Sequence, residues 1–346
     1  MRAVVYDAYG ATPEVCEMAE PSCPADGVVV RVEATGVCRS DWHAWRGHDP
    51  VPLPMVPGHE LAGHVVAVGG EVRRWQVGDR VTVPFVVGCG RCPVCSGGDA
   101  QVCPHQEQPG FTMPGSFAEL VALPAADANL VALPEEVDMV SAAALGCRFA
   151  TAYRALHAHG RVRADEWVAV HGCGGVGLSA VMVAAAAGAR VVAVDVRADA
   201  LELARRVGAE ATLGADPDLG VTSEAVRDLT DGGAHVSLDA VGSRTTAEAS
   251  VRSLRRRGRH VQAGLLLGAD SSPVLPMDRV VAWELSLHGT HGMAAHEYPP
   301  MLAAVAEGIL RPDLLVGRTV TLDEAPGALT SLGTDRSPAG ITVVQP

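Results

Sequence analysis

Basic side chains are in short supply, with 27 lysines and arginines against 40 aspartates and glutamates and a formal net charge of −13. Phosphate backbones are bound by clustered Lys and Arg, so this balance excludes nucleic acid as a partner. The one basic run, Arg255, Arg256, Arg257 and Arg259, reads as a solvated helix end. Long apolar runs are lacking too. The most apolar stretch, Val176 to Ala187, falls short of the roughly 20 residues a helix needs to cross a bilayer, so no membrane span is expected. No secretory leader is visible, because Met1–Tyr6 opens directly as an alternating, strand-like segment, and the expected location is the cytoplasm. Internal repeats and low-complexity tracts are absent.

What is present is an ordinary globular composition, 48% hydrophobic and 19% charged, which excludes a disordered chain. At 346 residues two domains are expected, since single cores stop growing near 250 to 300. The first part is rich in Val, Gly and Pro, with short alternating runs at Val28–Val32, Leu61–Val68 and Arg80–Pro84, and reads as an irregular, mostly antiparallel β domain. From Ser141 to Leu156 the texture becomes Ala-rich and helical.

Beyond Glu166, short apolar strands at Trp167–His171, Arg190–Val194, Val236–Ala240, Arg259–Gly264 and Glu284–Gly289 alternate with helical segments near 175–187, 197–207, 222–230, 244–254 and 297–308. That alternation predicts an α/β fold, a doubly wound parallel sheet with helices on both faces. Strand-like Thr319–Leu322 and Ile341–Val344 are expected to return to the first domain. The predicted division is therefore 1–145 with 311–346, and 146–310.

Nine cysteines in a chain without a leader point to metal ligands or reactive thiols rather than disulfides. Cys89, Cys92 and Cys95 are each separated by two residues, and Cys103 follows after seven more, within a loop containing Gly and Pro. Such gaps let four thiolates converge on one tetrahedral zinc, leaving no open coordination position, which is the mark of a structural site. A dithiol redox pair or an iron–sulfur cluster are the alternatives. Redox C-x-x-C pairs sit at a helix start near a βαβ unit, which is not the setting here.

The predicted strand Trp167–His171 runs into Gly172-Cys173-Gly174-Gly175-Val176-Gly177, which opens a predicted helix. With a strand before it and a helix after it, this loop is a dinucleotide fingerprint, whose glycines let backbone N–H groups approach a pyrophosphate. Asp195 ends the next strand, 21 residues after Gly174, where a carboxylate accepts from the ribose hydroxyls and repels a 2′-phosphate. NAD is favoured over NADP, with Arg197 nearby keeping NADP open.

Three further pieces carry metal-type side chains: Cys38-Arg39-Ser40-Asp41, Gly58-His59-Glu60 and Gly146-Cys147. Singly each is weak, since a lone buried Cys is usually a small apolar residue. Together they match a catalytic zinc site of the Cys₂His type, with a fourth position open.

In this order, with His43, the four-cysteine lobe and the glycine loop between and after them, the chain resembles the zinc-containing medium-chain alcohol dehydrogenases over nearly its whole length. The resemblance implies a GroES-like catalytic domain beside a Rossmann domain. It implies two Zn²⁺ per chain, one on Cys38, His59 and Cys147 and one on the four cysteines, with Glu60 beside the first and ligating it transiently as substrate and water exchange. Asp41 would orient His59, and Ser40 and His43 would relay the substrate hydroxyl's proton through the cofactor ribose to solvent. Arg39 would lie against the pyrophosphate and Phe85 would wall the substrate pocket. The implied reaction is reversible hydride transfer between NAD and a primary or secondary alcohol, giving an aldehyde or ketone, in a homodimer or homotetramer joined near Glu284–Gly289.

Two departures qualify this reading. Cys147 stands where polyol dehydrogenases commonly carry a glutamate, which prefers alcohols while leaving polyols open. Many members end in a Gly-Arg pair that reaches the cofactor phosphates; here Gly340 precedes Ile341, so that contact is missing or falls to a residue such as Arg336. A zinc-free quinone or enone reductase would have no use for Cys38, His59 and Cys147, and a non-catalytic relative would show damage at these ligands first. His48, Asp49 and Met113 fall in loops expected near the pocket mouth.

Overall fold

The computed structural model describes residues 1–332 and 339–346. The chain divides into two compact units, Met1–Ala150 with Gly292–Pro346, and Thr151–His291.

The first unit is built on a seven-stranded sheet ordered Val316–Thr321, Ile341–Gln345, Val28–Val37, Glu60–Val68, Arg80–Thr82, Val131–Ala132, with Leu120–Leu123 also pairing along Val28–Val37. The β-branched run Val28-Val29-Val30 suits the half-buried pleat, and its inward residues join Leu61, Val65, Val81 and Leu123 in one apolar cluster. The final strand lies antiparallel to Val28–Val37, which brings the end of the chain onto this unit. Residues 292–310, expected with the parallel sheet, group with the first unit instead. The helix Tyr298–Ala306 buries Tyr298, Met301 and Leu302, and the Tyr298 hydroxyl donates to the Gly146 carbonyl at 3.1 Å.

The register of this sheet positions the chemistry. Gly36 pairs with Glu60, so Cys38 emerges just beyond one strand while His59 sits just before its neighbour. The expected continuous helix over Ser141–Leu156 is interrupted: Met139–Ala143 is followed by a wider, π-type turn over Leu145–Phe149, then by Ala150–Arg154. Such turns insert a residue into a helix and re-aim side chains; here it carries Cys147 and Arg148.

The second unit is a six-stranded parallel sheet ordered Ala211–Gly214, Arg190–Asp195, Trp167–His171, Ala234–Asp239, Leu254–Gln262, Ser286–Gly289. This is the doubly wound order with its switch point between Trp167–His171 and Ala234–Asp239. Ala211–Gly214 escaped the sequence pattern because it is short and only partly buried. The basic run is not a helix end. It lies in the strand Leu254–Gln262, with Arg255 bonded to His235, Arg256 over the Trp283 ring and Arg259 paired to Glu166. Among the described residues no helix is long and apolar enough to cross a membrane.

Two histidines are buried in this unit. His171 Nε2 lies 3.2 Å from the Ser253 hydroxyl, and His260 Nδ1 lies 3.0 Å from that of Ser250. Burial pushes their pKa values down, to about 3 for His171 and about 4 for His260, so both are neutral in the fold. An unfolded chain protonates them near 6.5. Between that value and the folded values the unfolded state binds more protons, so stability falls with falling pH, by up to about 1.4 kcal/mol per pH unit for each histidine. Urea midpoints measured from pH 7 to 4.5 should therefore fall, and His260→Gln should make the slope shallower. An unchanged slope in that variant contradicts this origin.

Candidate functional site

Asp41 is the first fixed point. It is fully buried in the first turn of the helix Arg39–Trp45, which Cys38 caps. Its Oδ2 accepts from the Cys38 N–H at 2.9 Å, while Oδ1 accepts from the Gly58 N–H at 3.0 Å and meets His59 Nδ1 at 2.9 Å. Burial alone would lower the pKa of His59, but the Asp41 charge and hydrogen bond raise it well above the usual range. With Nδ1 committed to Asp41, Nε2 is the nitrogen left to act. It is buried and has no hydrogen-bond partner.

The ligand atoms of Cys38, His59, Glu60 and Cys147 all lie within 4.8 Å of one another. Cys38, His59 and Glu60 are buried, and Cys147, although its residue as a whole is intermediate in exposure, brings its thiol into the same buried cluster. A hydrogen bond from Cys147 holds the Cys38 thiol well below its ordinary pKa, and Cys147 is correspondingly pushed up. One imidazole nitrogen and two thiols converging within 4.8 Å of one another form a donor set that suits zinc.

Sequence reasoning missed Arg148. Its guanidinium lies against the Glu60 carboxylate: Nε donates to Oε1 at 3.0 Å, its backbone N–H donates to the same oxygen at 2.9 Å, and Nη2 contacts Oε2 closely, while Nη1 donates to the Val37 carbonyl at 3.0 Å. Both partners are buried. Burial raises the Glu60 pKa against the pull of Arg148, and the Glu60 charge raises that of Arg148 despite its burial. A Cβ on Gly36 would fall 2.2 Å from Glu60 Oε2 and 2.7 Å from Arg148 Nη2, so glycine is required where this pair sits. The only sequence signal was an arginine following a metal-type cysteine, which by itself says nothing.

Aromatic rings line the same site. Phe85 and the unanticipated Phe111 both meet the His59 ring edge-on, at 6.0 and 5.2 Å between centroids. Ser40 is half-buried with its hydroxyl 3.7 Å from Cys38 Sγ. Arg39 is exposed and lies over the Trp42 ring at 4.6 Å, and His43 Nδ1 meets His48 Nδ1 at 3.1 Å.

In the four-cysteine lobe, Sγ atoms of Cys89 and Cys95 lie 4.0 Å apart and those of Cys92 and Cys103 3.7 Å apart. Tetrahedral zinc with Zn–S near 2.3 Å separates its sulfurs by about 3.8 Å, so the lobe already has the right dimensions. Backbone N–H groups of Cys89 and His105 point at Cys103 Sγ, and that of Cys95 at Cys92 Sγ, at 3.3 to 3.4 Å, and these stabilise thiolates. A backbone hydrogen bond from Arg91 brings Cys89 down to about 6.

In the second unit Gly172 has φ of +93°, and a Cβ on Gly177 would fall 1.7 Å from the Gly172 carbonyl oxygen, so both must be glycine. Gly174 caps the helix Gly175–Ala186, and nothing lies within 4 Å of where its Cβ would be, the open approach a pyrophosphate needs beside Val176 and the helix N-terminus. Asp195 is fastened beside the loop: Oδ2 accepts from Cys173 N–H at 2.6 Å and Oδ1 from Arg197 N–H at 2.8 Å. The Arg197 side chain is bonded to Asp199. Arg336 lies outside the described residues.

Removing Arg148 would strand a buried carboxylate. Arg148→Met should cost about 3–5 kcal/mol in urea unfolding of the zinc-loaded protein, and adding Glu60→Gln should recover most of it. A loss under about 1 kcal/mol for the single variant contradicts a tight buried pair.

Comparison with known proteins gives the relationship. The family described as "Alcohol dehydrogenase GroES-like domain" matches residues 24–135, and "Zinc-binding dehydrogenase" matches residues 175–307. An alcohol dehydrogenase of Geobacillus stearothermophilus is 33% identical over 330 residues, 94% of this chain and 93% of that protein. Among solved structures, an alcohol dehydrogenase from Thermus sp. ATN1 has a TM-score of 0.90 at 32% identity, covering 100% of this chain and 99% of its own. A protein described as an NAD-dependent alcohol dehydrogenase has a TM-score of 0.89 at 32% identity, with 100% of both chains covered. With both halves matched in order and a relative a third identical along nearly its whole length, the chain belongs to the zinc-dependent medium-chain alcohol dehydrogenase family.

Proposed function

We propose that the protein oxidises a primary or secondary alcohol with NAD, reversibly, at the site of Cys38, His59 and Cys147. The observation that carries this is the convergence of His59 Nε2 and the thiols of Cys38 and Cys147 in one buried cluster, in a chain that also holds a separate four-cysteine site. Zinc bound there supplies the Lewis acidity that makes an alcohol hydroxyl acidic near neutral pH, and the nicotinamide supplies the hydride acceptor.

The chain's own residues do the rest. Cys38, His59 and Cys147 hold the metal, and Asp41 fixes the His59 tautomer so that Nε2 faces the thiols. Glu60 is kept beside the metal by Arg148 rather than free to swing. Phe85 and Phe111 keep water from the reacting carbon. Ser40, beside Cys38, accepts the substrate's proton, and His43 carries it onward. Gly172, Gly174, Gly175, Val176 and Gly177 cradle the pyrophosphate, with Arg39 as a second cation for it. Asp195 accepts from the adenosine ribose and disfavours a 2′-phosphate, and because Arg197 is engaged by Asp199 the preference is for NAD.

All nine cysteines are free of disulfides, which suits a reducing cytoplasm. The strand Ser286–Gly289 ends the parallel sheet and offers an edge for a second copy, which fits a homodimer or homotetramer.

Metal analysis of the purified protein should give two zinc ions per chain, and NAD with a panel of alcohols should generate NADH absorbance. One zinc and no turnover would overturn the reading. Cys147→Ala should abolish turnover in a folded protein that keeps one zinc. Cys95→Ala should instead lower thermal stability, and a Cys95 variant with full stability and both zincs would contradict the division between the sites.

A further inference from the structure

Within the dehydrogenase reading the fate of the substrate proton ends at His43, but the structure continues past it. The helix Arg39–Trp45 stops at Arg46, and Gly47, at φ +73°, turns the chain back so that the N–H groups of His48 and Asp49 both reach the His43 carbonyl, at 2.9 and 3.4 Å. A Cβ on Gly47 would also fall 2.9 Å from the Tyr9 ring, and the Tyr9 hydroxyl anchors Val51 through both its N–H and its carbonyl, so the turn is fixed from two sides. The result is a pair of imidazoles with Nδ1 atoms 3.1 Å apart and ring centroids 5.4 Å apart. Trp42 meets both rings edge-on, at 5.1 and 5.4 Å. His43 is half-buried and His48 is exposed.

We propose that His48 takes the proton from His43 and delivers it to water, so that proton exit runs over two histidines in series. Neutral imidazole has one N–H and one lone pair, so a pair joined through Nδ1 has a defined direction. A proton arriving at His43 Nε2 is matched by the Nδ1 proton crossing to His48 Nδ1, and by the His48 Nε2 proton leaving to solvent. Only N–H bonds form and break, and one proton enters for each that leaves.

The charges acting on His43 are those of Arg39, His48 and Cys38; Arg39 and Arg46 both lie over the Trp42 ring that packs against the pair, and Asp49 meets His43 only through its backbone N–H. Burial first, and then Arg39 and His48, lower the pKa of His43, so it passes a proton on rather than storing it. His48 acts through His43 and not on the substrate.

His48→Gln is an exposed change that spares the fold. In weak, non-transferring buffer it should slow alcohol oxidation about tenfold, less than the loss of a full general base because His43 still reaches water slowly. Added imidazole should restore the variant's rate and leave the wild type unchanged, with KM for NAD unaltered in both. In ¹⁵N-imidazole spectra of the protein as purified, removing the His48 ring should change the His43 tautomer, a readout that does not depend on turnover. A variant with the wild-type rate and no response to imidazole, or His43 resonances indifferent to the substitution, overturns the proposal. An inactive wild type whose His43 resonances do respond would overturn the dehydrogenase reading and, with it, the assigned use of the pair.

Discussion

Everything at the metal cluster hangs on one buried carboxylate. Asp41 has no solvent and three hydrogen-bond donors, drawn from two segments of chain: the N–H at Cys38 on one side, and Gly58 N–H with His59 Nδ1 on the other. By satisfying these donors it sets how far a thiol lies from an imidazole before any metal arrives. A buried carboxylate is tolerated only when so engaged. The constraint reaches back into sequence at Gly58, whose φ of +103° and closeness to Phe117 leave no room for a side chain.

The same logic governs charge. Two thiols, Glu60 and Asp41 concentrate acidity in a buried space, and the buried guanidinium of Arg148 lies in contact with it. Arg148 binds both oxygens of Glu60 and so holds that carboxylate next to the cluster. The four-cysteine lobe solves a different problem. Its sulfurs are spaced for a closed tetrahedron and stabilised by backbone N–H groups, so it fixes a loop and has no position to offer a substrate.

The four-cysteine lobe and the glycine loop could be read from sequence because each is local, a spacing or a strand-to-helix turn, whereas Cys38, Asp41, His59 and Cys147 lie on separate pieces and were legible only through their order along the chain. The parallel sheet was readable for the same reason, since buried strands such as Trp167–His171 are continuous apolar runs. What could not be read is what depends on distant pairing. Glu60 and Arg148 are 88 positions apart and meet only because Gly36 opposite them lacks a side chain. The ring of Phe111 against His59 is likewise a tertiary contact. The basic run misled because a strand edged with arginines, each with its own partner, looks in sequence like a solvated helix end. The π-type turn at Cys147 left no local signature, and the helix Tyr298–Ala306 went to the first unit through contacts no periodicity reveals.

The most direct measurement is an anomalous-scattering map at the zinc edge from crystals grown with zinc. Two peaks per chain are predicted. One should lie among the sulfurs of Cys89, Cys92, Cys95 and Cys103, and the other should be bonded to Cys38, His59 Nε2 and Cys147, with the Glu60 carboxylate turned toward Arg148. A single peak in the four-cysteine lobe, or a second peak bound to Glu60 in place of His59, would contradict the arrangement that Asp41 and Arg148 are held to impose.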